Sequence, residues 1–230
     1  MRKGLTEVVF ILDRSGSMRG LESDTIGGFN SMIDKQRKEE GEVLISTVLF
    51  DDNSEVLYDR VPVKQVEPMN DCQYYVRGCT ALLDALGGAI HHIANVHKYA
   101  IDEDRPEKTL FIITTDGMEN SSHIYDYDKV RKMVEMEKEK YGWEFLFLGA
   151  NIDSIEVAGR FGIGADRAID YICDEVGIAL NFQVLSETVS AVRRSGSRKE
   201  AARMMDACCA PIREDYKKRK KNEEDKRKLL

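Results

Sequence analysis

Residues 8–18 read Val8-Val9-Phe10-Ile11-Leu12-Asp13-Arg14-Ser15-Gly16-Ser17-Met18, five apolar residues running straight into an aspartate and two alternate serines. An unbroken apolar run is what a strand buried on both faces of a parallel sheet requires; a half-exposed strand would alternate. Val43–Phe50, Leu110–Ile113 and Phe145–Leu148 are likewise short runs rich in Val, Ile, Leu and Phe. Glu55–Tyr58 follows the turn cluster Asp51-Asp52-Asn53-Ser54, which predicts a hairpin and hence one antiparallel edge strand. A weaker run at Ala168–Ile172, flanked by Asp170 and Asp174, predicts a partly exposed edge strand. Amphipathic stretches near Thr25–Glu40, Ala81–Tyr99, Asp128–Tyr141, Ser154–Arg160 and Gly177–Arg194 read as helices. In the last, Ile178, Phe182, Leu185 and Val189 form one apolar stripe. Gly41 and Gly142 read as helix stops. Alternating strands and helices predict a doubly wound α/β fold with helices on both faces of a mostly parallel sheet. Ligands of such sheets bind outside the carboxyl ends of the strands, so those ends are where function is sought.

Composition narrows the functional classes. The chain has 230 residues, 42% hydrophobic and 33% charged, with a mean hydropathy of −0.41, enough apolar material for one sizeable domain. A net charge of −7 and a pI near 5.3 argue against bulk binding to nucleic acid or an anionic membrane. Apolar runs of about five residues fall far short of the ~20 that span a bilayer. Met1-Arg2-Lys3 before the first apolar run resembles a signal peptide only briefly. Glu7 precedes a run that is too short, and Asp13 ends it, so a cytoplasmic chain is expected. The five cysteines, Cys72, Cys79, Cys173, Cys208 and Cys209, form no CxxC pair and show no zinc spacing. His91, His92 and His97 read as decoration of a helix, because HExxH is absent.

Charge divides the chain. Residues 196–230 carry 12 Lys/Arg and 7 Asp/Glu, leaving residues 1–195 at −12. The expected organisation is a domain over 1–195 and a charged, helical C-terminal extension over 196–230. Mixed charge, with no aromatic after Tyr216, reads that extension as solvated and fraying.

Three predicted loops at strand ends or ahead of a helix carry unusual polar residues: Asp13 to Met18, Thr114-Thr115-Asp116-Gly117, and Arg77-Gly78-Cys79-Thr80. Singly, Ser17 or Thr80 would pass for a helix cap and Asp116-Gly117 for a turn. Together they put carboxylates and hydroxyls on one edge of one sheet. Oxygen-only donors suit a hard divalent cation, Mg²⁺, Mn²⁺ or Ca²⁺. Neutral hydroxyls offset the ion's charge poorly, which keeps it electrophilic and leaves a position for an outside anion.

Asp13-x-Ser15-x-Ser17, Thr80 and Asp116 resemble the metal-ion-dependent adhesion site (MIDAS) of von Willebrand factor A domains. "VVFILDRSGSM", "STVLFDDNSEVLY", "RGCTALLDAL", "LFIITTDGMEN" and "WEFLFLGANID" are similar, in order, to segments of the bacterial intracellular members. The resemblance covers residues 5 to 195. It implies a Rossmann-like three-layer α/β/α fold with five parallel strands and one antiparallel edge strand, and a metal completed by a partner protein's Asp or Glu carboxylate. It further implies that Ser15 and Ser17 bind the metal directly and that Asp13 does so directly or through water. Thr80 and Asp116 would exchange direct and water-mediated contact as a ligand arrives. The family's usual Gly-Gly before the threonine is Gly78-Cys79 here. Intracellular relatives often accompany AAA+ ATPases, kinases or phosphatases, which suggests an adaptor or scaffold.

An enzyme would need a base or nucleophile. DxDx[TV] phosphatases need a second acid where Ser15 stands, and no G-x-S-x-G, P-loop or G-x-G-x-x-G after a strand is present. Gly162-Ile163-Gly164 reads as a helix cap and turn. A non-enzymatic binding module is therefore expected, with metal-assisted hydrolysis or phosphatase-like chemistry at the same residues as the alternative. Arg14, Met18, Arg19, Arg77, Met118, Glu119, Asn120 and Asn151 are expected to line the binding face.

Overall fold

A computed structural model of the chain describes residues 1–228. Six strands, β1 (Arg2–Asp13), β2 (Glu42–Phe50), β3 (Ser54–Pro62), β4 (Pro106–Thr115), β5 (Glu144–Gly149) and β6 (Ala168–Asp170), form one sheet in the order β3-β2-β1-β4-β5-β6. The β2–β3 pair is antiparallel, closing at Phe50 opposite Ser54, and the other pairs are parallel. This is the mostly parallel six-stranded α/β sheet that the apolar runs predict. β1 and β4 begin earlier than those runs, whereas β6 stops at Asp170.

The helices are α1 (Glu22–Lys38), α2 (Leu82–Tyr99), α3 (Tyr127–Tyr141), α4 (Ser154–Arg160), α5 (Glu175–Arg194), α6 (Arg198–Cys208) and α7 (Ala210–Lys228). Successive strand residues point to opposite faces. Val8, Phe10 and Leu12 therefore pack with Phe29 and Met32 of α1 and Leu185 and Val189 of α5. Val9 and Ile11 pack with Leu82, Leu86 and Ile90 of α2 and Val130 and Val134 of α3. Each such side chain buried on folding stabilises by about 1.5–3 kcal/mol. Because both faces are covered, the strand residues between the two layers are mostly apolar, and buried exceptions such as Glu7 in β1 and Ser46 and Thr47 in β2 lie midway.

Two helix ends follow local rules. Gly142, with φ +67°, closes α3 in the left-handed conformation, where a Cβ would be strained. Gly162, with φ +79°, turns the chain just after α4, so the Gly162–Gly164 stretch is a helix exit. α1 ends at Lys38, and Gly41 lies beyond it in the turn to β2.

The C-terminal extension departs from its expectation as a solvated arm. It forms α6 and α7; Leu229 and Leu230 lie outside the described residues. Ala201, Met205, Cys209 and Ile212 are buried in the same cluster as the α1–α5 face of the sheet. Arg167 donates to the Ala202 carbonyl, and Arg219 pairs with Asp174 at the start of α5. Spacings of four, four and three place those four residues on one helical stripe, which outweighs the charge around it.

Candidate metal centre

β1 and β4 are neighbours in register, with Leu12 opposite Thr114, so the chain leaves the sheet at Asp13 and at Thr115-Asp116 side by side. The Asp13 Oδ1 atom accepts from the Ser15 amide at 2.7 Å, which tightens the turn, and Oδ2 accepts from Thr115 Oγ1 at 2.6 Å. Beyond that turn the Ser17 hydroxyl donates to Asp116 Oδ1 at 2.5 Å and lies 3.2 Å from the Ser15 hydroxyl. A Cβ on Gly117 would stand 3.5 Å from Thr80 Oγ1 and 3.6 Å from Ser17 Oγ, so these two hydroxyls flank the same glycine. The structure thus brings Ser15, Ser17 and Asp116 into contact, sets Thr80 beside them, and holds Asp13 beneath.

Thr80 is not the cap of α2. Ala81 occupies that position with no side-chain cap. The helix's first amides are instead met by the loop after β4: Leu83 donates to Glu119 Oε2 at 2.8 Å and Asp84 to Ser122 Oγ at 3.0 Å. The Thr80 amide donates to Asn120 Oδ1 at 2.9 Å. Ser17, too, caps no helix: it lies within the short turn Gly16–Met18, whose N-terminal position is Ser15.

Among the described residues neither carboxylate has a cationic partner. Asp13 is 2% exposed, and its pKa is pushed up to about 6 by burial, against the lowering effect of the Thr115 and Ser15 hydrogen bonds. Burial likewise raises Asp116, with the Ser17 hydrogen bond opposing. Their donors are hydroxyls, an amide and the Cys173 thiol, whose Sγ is 3.8 Å from Asp116 Oδ2. A buried anion without a compensating charge is costly, and a bound cation would relieve both groups at once. Among the described residues no three His, Cys, Asp or Glu side chains gather as a metal-holding group. The gathered donors are mostly hydroxyls, so the residues present fit a hard, oxygen-preferring divalent ion rather than a soft one.

The expected rim changes in two places. Arg14 is fully buried: its Nε donates to Asp51 Oδ2 at 2.8 Å, and Met18 is part of the core. Arg19, Arg77, Met118, Asn120 and Asn151 are exposed, whereas Glu119 is half-buried and occupied by the α2 amides. The histidines are not all decoration either. His97 is buried with Nε2 2.5 Å from Glu7 Oε2, midway along β1 and away from the strand ends. Three contributors escape the sequence reading. Thr115 was adjacent to a chosen residue, and a hydroxyl next to Asp116 was a usable signal. Tyr74, whose hydroxyl donates to the Asp13 carbonyl at 2.5 Å, and Cys173 come from loops without a pattern.

No family model matches the chain, and no curated protein matches it. Solved structures do match. Proximal thread matrix protein 1 from the mussel byssus aligns over 80% of this chain and 45% of its own, at 13% identity and a TM-score of 0.52. A form of that protein with a zinc-occupied MIDAS motif aligns over the same shares at 15% identity and 0.52. The D319A mutant of the PilB minor pilin from Streptococcus sanguinis aligns over 80% of this chain and 61% of its own, at 11% identity and 0.52. The chain spans less than two thirds of each of these proteins. At such identities the likeness is one of fold: the Rossmann-like α/β architecture implied by the resemblance to von Willebrand factor A domains is the one observed. No described helix is long and apolar enough to cross a membrane.

Proposed function

We propose that the chain is a cytoplasmic, non-catalytic protein-interaction module of the bacterial intracellular von Willebrand factor A type. In this reading Asp13, Ser15, Ser17, Thr80 and Asp116 hold Mg²⁺, with Mn²⁺ or Ca²⁺ able to replace it, and a partner protein's Asp or Glu completes the ion. One observation carries the reading: two buried carboxylates and three hydroxyls meet at the ends of β1 and β4 and before α2, with no cation of the described residues among the carboxylates' donors. That a protein of the same fold has a zinc-occupied MIDAS supports a divalent ion here. The exposed Arg19 and Arg77 favour an acidic partner segment. The resemblance points to AAA+ ATPase, kinase or phosphatase systems as the setting. The non-catalytic part is supported by the histidines, since His97 is engaged by Glu7 and His92 by Asp59 rather than by the five oxygen residues.

Calorimetric titration of chelator-treated protein with Mg²⁺, Mn²⁺ and Ca²⁺ tests the site. The native chain should bind and Asp13→Ala should not. Asp116→Ala should then lose cation-dependent partner capture while keeping its circular dichroism spectrum; undiminished capture would overturn the proposal.

A further inference from the structure

The hairpin turn between β2 and β3 does more than reverse the chain. The Asp51 side chain is 1% exposed, and its Oδ2 accepts from Arg14 Nε and Arg77 Nε, each at 2.8 Å. Arg14 stands between the metal-site residues Asp13 and Ser15, and Arg77 three residues before Thr80. The backbone repeats the tie: the Ala81 amide donates to the Asp51 carbonyl at 2.8 Å, the Arg77 amide to the Arg14 carbonyl at 3.0 Å, and the Gly16 amide to the Gly78 carbonyl at 3.1 Å. Asp52 adds a further grip, accepting from the Cys79 amide at 2.7 Å. Arg14 is held from two other sides, by the Gln73 carbonyl at 3.2 Å and in an ion pair with Glu55 at 2.9 Å, and both guanidinium groups stand 5.1 Å from the Tyr75 ring.

We propose that Asp51 is a positioning residue for the metal centre. Its one carboxylate, shared by Arg14 and Arg77, fixes the loop carrying Asp13, Ser15 and Ser17 against the loop carrying Thr80, although Asp51 itself touches no metal-site residue's side chain. The inference rests on the metal reading above and adds to it the device that sets the spacing between its two hydroxyl-bearing loops. Two physical effects follow. Without Asp51 the loops lose their shared anchor, and the charge of Arg14, buried one residue from Asp13, is left opposing an incoming cation. Outer partners of this kind typically govern affinity by about 10–100-fold.

Cation titration of the full chain separates the two effects. Asp51→Asn should weaken Mg²⁺ and Mn²⁺ binding by at least about tenfold. Arg77→Met is the sharper variant, because Arg77 is half-exposed and its loss should spare the fold. A purely electrostatic influence predicts tighter cation binding once that positive charge is gone. The anchor predicts binding weakened by about tenfold, the lower end of the outer-partner scale. Binding by Arg77→Met that is unchanged or tighter overturns the proposal. A merely structural contribution is excluded by Glu7→Gln, which destabilises from the middle of β1, six residues before Asp13, and should leave cation affinity where it was. A second readout needs no metal: residue-resolved hydrogen exchange of the cation-free protein. The Gly16 and Ala81 amides should exchange at least about tenfold faster in Asp51→Asn, with core amides such as Ile112 changed less. Equal rates overturn the proposal. If the native chain takes up no cation, the metal reading falls separately, and the exchange rates alone decide whether Asp51 ties the loops.

Discussion

β1 buries two carboxylates, Glu7 midway along it and Asp13 at its carboxyl end, and the two are treated in opposite ways. Glu7 is fully buried between Arg60 and His97, with Arg60 Nε 2.6 Å from Oε1 and His97 Nε2 2.5 Å from Oε2. Six residues on, Asp13 is almost as buried but meets only an amide and a hydroxyl, with Asp116 close enough to raise its pKa further. A buried charge needs a partner, or its pKa moves. Glu7 has a cation of the chain, Arg60, beside it. Among the described residues Asp13 has none. A bound cation would supply at the carboxyl end of β1 the charge that Arg60 supplies midway along it.

Breaking the paired carboxylate should have the largest effect. Glu7→Gln removes the anion paired with Arg60 and should cost about 3 kcal/mol in urea unfolding, the scale of a broken buried pair. A loss below 1 kcal/mol on that scale would mean that Glu7 is no better satisfied than Asp13. Asp13 should respond with the opposite sign. Burial disfavours the charged form of Asp13, so Asp13→Asn in cation-free protein should be unchanged or up to about 2 kcal/mol more stable. A loss as large as that of Glu7→Gln would erase the distinction. Adding Mg²⁺ should raise the melting temperature of the native chain and not that of Asp13→Asn, since a ligand stabilises only the state that binds it.

An exposed pair supplies the small end of the scale. The Arg219 guanidinium holds the Asp174 carboxyl below its ordinary 3.8, with partial burial opposing. A depressed folded-state value means that the stabilisation is present at neutral pH and is lost as pH falls through it. Asp174→Asn keeps a good helix cap, so the change should be only about 0.5 kcal/mol at pH 7, shrinking with acid and with salt. If 1 M NaCl left the difference intact, the pair would belong with the buried ones.

Much of this architecture was legible in local pattern. Val8–Leu12, Val43–Phe50, Leu110–Ile113 and Phe145–Leu148 each lie within a strand, because a doubly covered sheet favours strands rich in apolar residues. The Asp51–Ser54 turn lies at the antiparallel hairpin for an equally local reason. The site was legible as position: Asp13, Ser15, Ser17, Thr80 and Asp116 stand where such strands end or where the next helix begins. Arg14 was not, because a charged residue in a polar loop reads as solvated unless its anion is known, and Asp51 is 37 residues away. His97 was misread for the same reason, with Glu7 90 residues distant. In the extension, Ala201, Met205, Cys209 and Ile212 carried a helical stripe, but the lysines and arginines around them dominated the composition.

The sequence by itself determined the class of sheet and which loops carry polar chemistry, since both follow from residues within a few positions of one another. Only the tertiary structure decided which charges are paired: Glu7 with Arg60, Arg14 with Asp51, and Asp13 with no cation among the described residues. Pairing is a matter of distance in space and of the low dielectric of the interior. Neither is encoded in spacing along the chain, and the same is true of the α6–α7 segment, whose docking depends on a surface assembled from β6 and α5.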